Sequence, residues 1–208
     1  MPVGLVLSGL LLALPACAQN GPDPRVVLNQ AIEDFEAGRL IESVDAFDQL
    51  VLLVPDIAPE LWQRGIALYY ADRFEDCRAQ FESHRTVNPD DVENAAWHFM
   101  CVARLESPEE ARAALLPVGP DSRRSLPEIY DMFQGQRTPD EVLESAGDDP
   151  YALFYANLYV GLYLESTGNA SGATAYLERA AAIPETARFP MSTVARAHLR
   201  MNGLQPDP

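Results

Sequence analysis

His98 and Cys101 are the two side chains whose types and spacing come nearest to a metal site. A step of three residues would place both on one face of a helix, and imidazole and thiolate are ligands that zinc prefers. A zinc site needs three or four converging ligands, however, and His84 and His198 stand apart from this pair in the sequence. The sequence therefore predicts no metal site, and His98 is interpreted as a core or groove histidine.

Catalytic motifs are absent from the sequence. It contains no HExxH, no GxSxG and no glycine-rich phosphate loop. Carboxylate pairs occur at Asp90-Asp91 and at Asp148-Asp149. Both stand in turns, where capping of a helix explains them better than acid–base catalysis. We therefore expect a protein that is not an enzyme and that needs no cofactor.

Residues 117–147 leave one alternative open. They carry Arg123 and Arg124 next to each other and Tyr130 in the same stretch, with His98 expected nearby. Two adjacent guanidinium groups could hold an anion, although a solvated pair in a loop is the simpler interpretation. If these side chains converge on a polar pocket, the chain would be a small-ligand-binding protein or an enzyme.

The charge of the chain narrows the choice of partner. Its 208 residues include 31 acidic and 15 basic side chains, which gives a formal net charge of -16. This charge repels nucleic acid and anionic lipid headgroups, so we expect neither as a main partner. Acidity can serve solubility alone, and the sharper interpretation is that the partner is basic.

The N-terminus is typical of an export signal. Residues 3–15 form an apolar run that is too short to span a bilayer, which takes about 20 residues. Residues 14–17 resemble a lipobox, at which a bacterial lipoprotein is cut before an acylated cysteine, whereas residues 16–18 also fit ordinary signal cleavage. We expect a signal peptide over residues 1–17 with Cys17 as the lipidation site, and a flexible tether over 18–24. The protein would then be anchored in the periplasm or outer membrane, with secretion as the alternative.

Two cysteines remain if Cys17 is acylated. Cys77 and Cys101 stand in helical stretches and do not amount to a disulfide framework. We interpret them as small core residues. A single disulfide between neighbouring repeats is the alternative, which an oxidising compartment permits.

A period of 34 residues runs through the first half of the chain. It separates four pairs of residues, Ala31 and Gly65, Leu40 and Phe74, Phe47 and Phe81, and Pro55 and Pro89. Each unit carries, in order, a small residue, a turn residue, a second small residue, an aromatic one and a closing proline, which cannot continue a helix. The pattern predicts helix pairs, and few stretches alternate as strands do.

This pattern resembles the tetratricopeptide repeat (TPR) family. The resemblance is strong over residues 25–90 and returns over 151–184, where Gly161, Gly168, Ala173 and Leu177 occupy the motif positions. It implies an all-α fold in which antiparallel helix pairs stack into a right-handed superhelix. We expect repeats at 25–57, 58–90, 91–116 and 151–186, a degenerate helical pair at 117–147 and a capping helix at 189–202, all within a domain of residues 25–208.

Further helix starts are predicted between these motifs. Asp90 or Asp91, Ser107 and Thr138 each offer a capping oxygen, and acidic residues follow in the first turn, where the helix dipole favours them. The third unit departs from the motif because Phe99 stands where a small residue is expected.

In TPR stacks the first helix of each pair lines a concave groove, and the resemblance implies which residues would face it. Trp, Tyr and Arg dominate binding energy at interfaces, and Trp62 with Tyr69 is the preferred pair. The predicted groove comprises Trp62, Ile66, Tyr69, Tyr70, Glu93, Trp97, Met100, Arg104, Tyr155 and Tyr159. Packing of these side chains between helices is the alternative interpretation.

A lipobox followed by such repeats is similar to the small TPR lipoproteins of the bacterial outer membrane, which dock cell-wall hydrolases and their proteases. The resemblance implies a scaffold that binds a protein or peptide at the cell envelope. Contact with a membrane is expected only through a lipid anchor at Cys17.

Overall fold

Eleven α-helices and two short 3-10 helices form the regular structure of residues 21–204, which are the residues that the computed structural model describes. No strand occurs among them, so the all-α class predicted from the sequence is confirmed. The predicted signal peptide and the lipidation site Cys17 lie outside the described residues, as do residues 205–208 at the end of the predicted domain.

The helices follow one another as five pairs and a single last helix. The pairs are α1 (Pro24–Glu36) with α2 (Leu40–Leu53), α3 (Trp62–Tyr70) with α4 (Phe74–His84), α5 (Val92–Leu105) with α6 (Pro108–Ala113), α7 (Leu126–Phe133) with α8 (Pro139–Ala146), and α9 (Pro150–Ser166) with α10 (Ala170–Ala181). The last helix is α11 (Pro190–Met201), and 3-10 helices span Pro55–Glu60 and Pro184–Thr186. Apart from α6 and α7, each helix packs on its sequence neighbours, as expected for a superhelical stack, and α7 packs on α5.

Capping side chains fix where several helices begin. The Asp91 carboxylate accepts from the Glu93 backbone N–H at the start of α5, and Ser107 Oγ accepts from Glu110 N–H at the start of α6. Thr138 and Glu141 form a reciprocal capping box at the start of α8. These three predicted helix starts are confirmed.

The predicted turn residues allow the tight connections within three pairs. Gly38, Asp72 and Gly168 have backbone φ angles of 73°, 56° and 90°, in the left-handed region that ends helices. Glycine adopts this region without a steric penalty, and aspartate is one of the few other residues that tolerate it. The chain can therefore reverse within three residues between the two helices of each pair.

Two helical glycines permit close crossing within their pairs. A Cβ atom on Gly65 would lie 2.6 Å from the ring of Phe81, and one on Gly161 would lie 2.6 Å from Leu177. Both partners are the large residues that the sequence assigns to the second helix, and both are buried. Helices approach this closely only where one of them lacks a side chain.

Gly65→Ala is expected to lower the free energy of unfolding by a net amount of about 1–2 kcal/mol. The added methyl overlaps a buried ring, and this overpacking outweighs the better helix propensity of alanine. Urea denaturation of the single variants Gly65→Ala and Phe81→Leu and of the double variant measures the coupling. The smaller leucine should relieve the overlap and make the double variant at least about 1 kcal/mol more stable than additivity gives. Strict additivity would contradict the crossing described here.

The last helix returns to the start of the stack. Beyond its contacts with α10, α11 reaches α1, and a Cβ on Gly38 would meet the side chains of Ala197 and Arg200. The hydroxyl of Tyr70 on α3 lies 3.0 Å from His198 Nδ1. The buried face of α11 therefore lies against the concave side of the first pairs, as well as against the pair that precedes it.

A disulfide joins two neighbouring pairs. Cys77 on α4 is bonded to Cys101 on α5, with the two Cα atoms 6.0 Å apart and both residues fully buried. The interpretation of these cysteines as unbonded core residues is therefore wrong, although they do occupy core positions. Bonding also removes Cys101 as a metal ligand, so the pair that it forms with His98 has no role in a metal site.

Candidate binding cleft

Half of the predicted groove residues belong to the interior. Exposed fractions of 6% or less show that these side chains do not lie on an open surface, although two of them, Ile66 and Trp97, line an internal cavity. The preferred pair is split because its tyrosine is among the buried residues. The prediction that they face an open groove is wrong, because these side chains pack in the core between the helices. The residues concerned are Ile66, Tyr69, Trp97, Met100 and Tyr159.

Two further predicted groove residues have partners elsewhere. Tyr70 is half-buried beneath α11 through its contact with His198. Arg104 is exposed, stacks 4.4 Å from the ring centre of Phe74 and pairs with Asp72 at 3.3 Å. Its guanidinium therefore lies beside the turn between α3 and α4, apart from the cleft described next.

The remaining three, Trp62, Glu93 and Tyr155, come together at a cleft, which we call the acidic aromatic cleft. Its mouth has a volume of about 280 Å³ and its inner cavity about 120 Å³. The two parts share Trp62, Glu93 and Met191, so they form one continuous depression between α3, α5 and the start of α11. The mouth is further lined by Tyr155, Phe189 and Pro190, and the inner cavity by Ile66, Phe81, His84, Asn88, Asp91, Asn94 and Trp97.

Arg123 lies next to the cleft and pairs with two carboxylates that line it, Asp91 and Glu93, and with a third, Asp121, that does not. Its guanidinium lies 2.5 Å from oxygens of Asp91, Glu93 and Asp121. These contacts raise the pKa of Arg123 although burial opposes the rise, and hydrogen bonds from Arg123 lower the pKa of Asp121 against its burial. The interpretation of Arg123 as an anion site is therefore wrong, because its charge is already neutralised by the protein.

Glu93 is the titratable group that lines both parts of the cleft. It accepts a hydrogen bond from the Tyr159 hydroxyl at 2.6 Å as well as from Arg123. Burial nevertheless raises the pKa of Glu93, and the neighbouring Arg123 only partly offsets this. Protonation of Glu93 therefore begins at a higher pH than for a solvated glutamate.

Tyr155 forms the far side of the mouth. Its ring lies parallel to that of Tyr159 at 6.4 Å, and the Arg123 guanidinium lies 5.7 Å from its centre. Burial, reinforced by the charge of Glu93, raises the pKa of Tyr155 to about 12. The hydroxyl is thus neutral at physiological pH and serves as a hydrogen-bond donor.

The floor of the inner cavity carries polar atoms without protein partners. Both side-chain amide atoms of Asn94 and the indole Nε1 of Trp97 are buried, and none has a hydrogen-bond partner among residues 21–204. Leaving such atoms unpaired costs about 1–3 kcal/mol each, so groups that hydrogen-bond to them would be favoured here. Asn94 was not among the predicted site residues, and the signal that could have indicated it is an amide on the buried face of an apolar helix.

The opposite wall is held by a short polar network. His84 Nδ1 donates to the Pro59 carbonyl oxygen at 2.7 Å, and Asn88 donates to the carboxylate of Asp91 at 2.9 Å. Asp91 also caps α5, so one side chain links the helix start, the wall and Arg123. This arrangement fixes both carboxylates of the cleft before any ligand arrives.

Residues proposed for a pocket in 117–147 do not converge. Arg124 donates to the Ser145 carbonyl at 3.2 Å, Tyr130 donates to the Leu116 carbonyl at 3.2 Å, and His98 contacts Glu82. Within residues 21–204, no three His, Cys, Asp or Glu side chains are grouped closely enough to hold a metal ion. In the same part of the chain, none of the helices combines the length and apolar character that crossing a membrane requires.

No protein-family model matches the chain, and a search of curated proteins finds no significant match. The function is therefore inferred from the geometry of the cleft.

Proposed function

We propose that this chain is an exported protein of the TPR kind that binds a protein partner at the acidic aromatic cleft. The observation that carries the proposal is the meeting of Trp62, Glu93 and Tyr155 at an open mouth above an inner cavity with unpaired polar atoms. Aromatic side chains around a depression of this kind are typical of the energetically dominant part of an interface.

The repeat geometry supports the TPR part of the proposal. The glycines at the helix crossings, the left-handed turn residues and the five helix pairs agree with what the resemblance implies. A stack of this kind offers a rigid framework, and loops or helix starts at its edge then present the recognition site.

The disulfide supports export. A bond between Cys77 and Cys101 persists in oxidising compartments such as the periplasm, whereas cytosolic thiols are kept reduced. Together with the apolar run and Cys17 in the sequence, this favours a protein of the cell envelope that a lipid anchor holds at the membrane.

Trp62→Ala is expected to weaken partner binding at least tenfold while the protein stays folded. Trp62 is half-buried, meets Phe35 edge-on at 5.7 Å and borders both parts of the cleft, so its removal takes away contact surface more than core. The measurement is affinity capture from solubilised envelope fractions with quantitative mass spectrometry, accompanied by thermal unfolding of each bait.

Tyr176→Ala is the matched control, since this half-buried aromatic lies on α10 beside Arg179 and outside the cleft. Equal recovery of the same proteins by wild type, Trp62→Ala and Tyr176→Ala would contradict the proposal. A collapse of thermal stability in Trp62→Ala would assign the residue to the core, and Tyr155→Ala then tests the mouth from its other side.

A further inference from the structure

We infer that the partner places a positively charged side chain, arginine or lysine, in the acidic aromatic cleft. The inference rests on the proposed function and specifies the chemistry of the group that is recognised. Charge and aromatic surface point to it, and one unpaired acceptor atom, Oδ1 of Asn94, fits the same chemistry.

The charges at the cleft leave a negative excess. Three carboxylates, those of Asp91, Glu93 and Asp121, share the single guanidinium of Arg123. When all three are ionised the group carries a formal charge of two negative units, within a chain whose net charge is -16. An anionic ligand would meet this field with repulsion, whereas a basic segment is attracted to it over a distance of about one Debye length.

Aromatic faces surround the same space. Trp62, Phe81 and Trp97 line the inner cavity, and Tyr155 lines the mouth. A guanidinium or ammonium group is attracted to such faces, and tryptophan is the strongest of them. The volume of about 120 Å³ admits one extended side chain rather than a folded segment, so a single residue of the partner would enter.

One of the unpaired polar atoms also fits a basic side chain. The carbonyl oxygen of Asn94 accepts, so it suits an N–H of a basic side chain, which also donates to Glu93. The amide nitrogen of Asn94 and Nε1 of Trp97 are donors and need an acceptor, which a water molecule that enters with the side chain can supply. A purely apolar ligand would leave all three atoms unsatisfied.

Capped pentapeptides with a central Arg, Lys, citrulline or Glu between glycines test the inference on the full-length protein. The fluorescence of Trp62 and Trp97, which are the two tryptophans of the chain, reports entry into the cleft, and calorimetry gives the affinity. We expect the Arg and Lys peptides to bind at least tenfold more tightly than the neutral citrulline peptide. The Glu peptide should show no binding.

Glu93→Gln should weaken binding of the Arg peptide about tenfold, because it removes the central charge and keeps the side-chain shape. Glu178→Gln on the exposed face of α10 is the matched control and should leave the affinity unchanged. Higher salt should weaken binding to wild type more than to Glu93→Gln.

Acidification should release the basic peptide. Because the pKa of Glu93 is raised, its charge is lost as the pH falls through a range above that of solvated glutamate, and affinity should fall with it. In Glu93→Gln this part of the pH dependence should disappear. The titratable or charged groups that face Glu93 or line the cleft with it are Asp91, Asp121, Arg123, Tyr155, Tyr159 and His84.

Each other outcome overturns a distinct statement. Equal binding of the citrulline and Arg peptides would overturn recognition of charge. Binding of free methylguanidinium without binding of any peptide would overturn a protein partner as the source of the cation. If no probe binds while Trp62→Ala still loses its captured partner, the inference fails and the proposed function stands. If the Arg peptide binds while capture is unaffected by Trp62→Ala, the proposed function fails instead.

Discussion

The double variant Val194→Ala/Leu199→Ala is expected to have a free energy of unfolding about 4 kcal/mol lower than that of the wild type. Both side chains are fully buried on α11, in the core that the last helix shares with the pairs before it. Each substitution loses the transfer free energy of the removed methyl groups and leaves a cavity that the surrounding helices fill only in part. Urea denaturation followed by circular dichroism measures the loss.

The same variant tests whether α11 closes the concave side. Met191 at the start of α11 borders the cleft beside Trp62 and Trp97, so loosening of the helix should shift tryptophan emission to longer wavelength in the folded state. Met201→Ala, at an exposed position on the same helix, is the control and should change neither stability nor emission by a measurable amount. Loss of stability without any change in emission would contradict a contact between α11 and the cleft.

Replacing both bonded cysteines, as Cys77→Ala/Cys101→Ala, is expected to lower the free energy of unfolding by about 3 kcal/mol. The bond joins two residues with a sequence separation of 24, so it restricts the conformations of the unfolded chain. Its removal restores this conformational entropy to the unfolded state. The native packing changes little because alanine fits both buried positions. The measurement is urea denaturation of the double variant and the wild type under identical oxidising conditions.

A reducing agent supplies the control for the disulfide. It should destabilise the wild type by a similar amount and leave the double variant unchanged. Thiol titration of the unfolded, unreduced protein checks the bond directly. Two free thiols, in addition to any from Cys17, would show that Cys77 and Cys101 are not bonded. The outcome also bears on localisation, since a protein that depends on this bond needs an oxidising compartment to fold.

Both predictions concern elements that position the cleft. The disulfide ties α4 to α5, and α5 supplies Glu93, Asn94 and Trp97. The last helix supplies Met191 to both parts of the cleft. The proposed recognition surface is therefore a single cleft, which suits capture of one side chain more than of an extended peptide.

The sequence by itself determined the helix pairs. Gly65 with Phe81, the turn at Asp72 and the caps at Asp91 and Thr138 are properties of short segments, in which a residue's φ preference or side-chain size acts on neighbours within the same pair. A repeat of 34 residues makes such local signals visible because they recur in step. The all-α class and the close helix crossings could therefore be predicted.

Only the tertiary structure decided what lies against the concave side. Nothing periodic in the sequence relates α11 to α1 and α3, yet His198 meets Tyr70 across 128 positions of the chain. Arg123 likewise reaches Asp91 and Glu93 from a segment without repeat character. Such contacts depend on the summed rotations of several stacked pairs, and these rotations follow from side-chain packing at every interface and not from any single motif.

The same reason explains why some of the predicted groove residues are buried. The resemblance places Met100 and Tyr159 on the concave face, but whether that face is open depends on which helices from other parts of the chain pack over it. In this chain both side chains are buried among neighbouring helices, whereas Trp62, Glu93 and Tyr155 remain partly exposed at the cleft. The local sequence determines the geometry of each helix pair. Long-range packing determines which faces of the helix pairs a partner can reach.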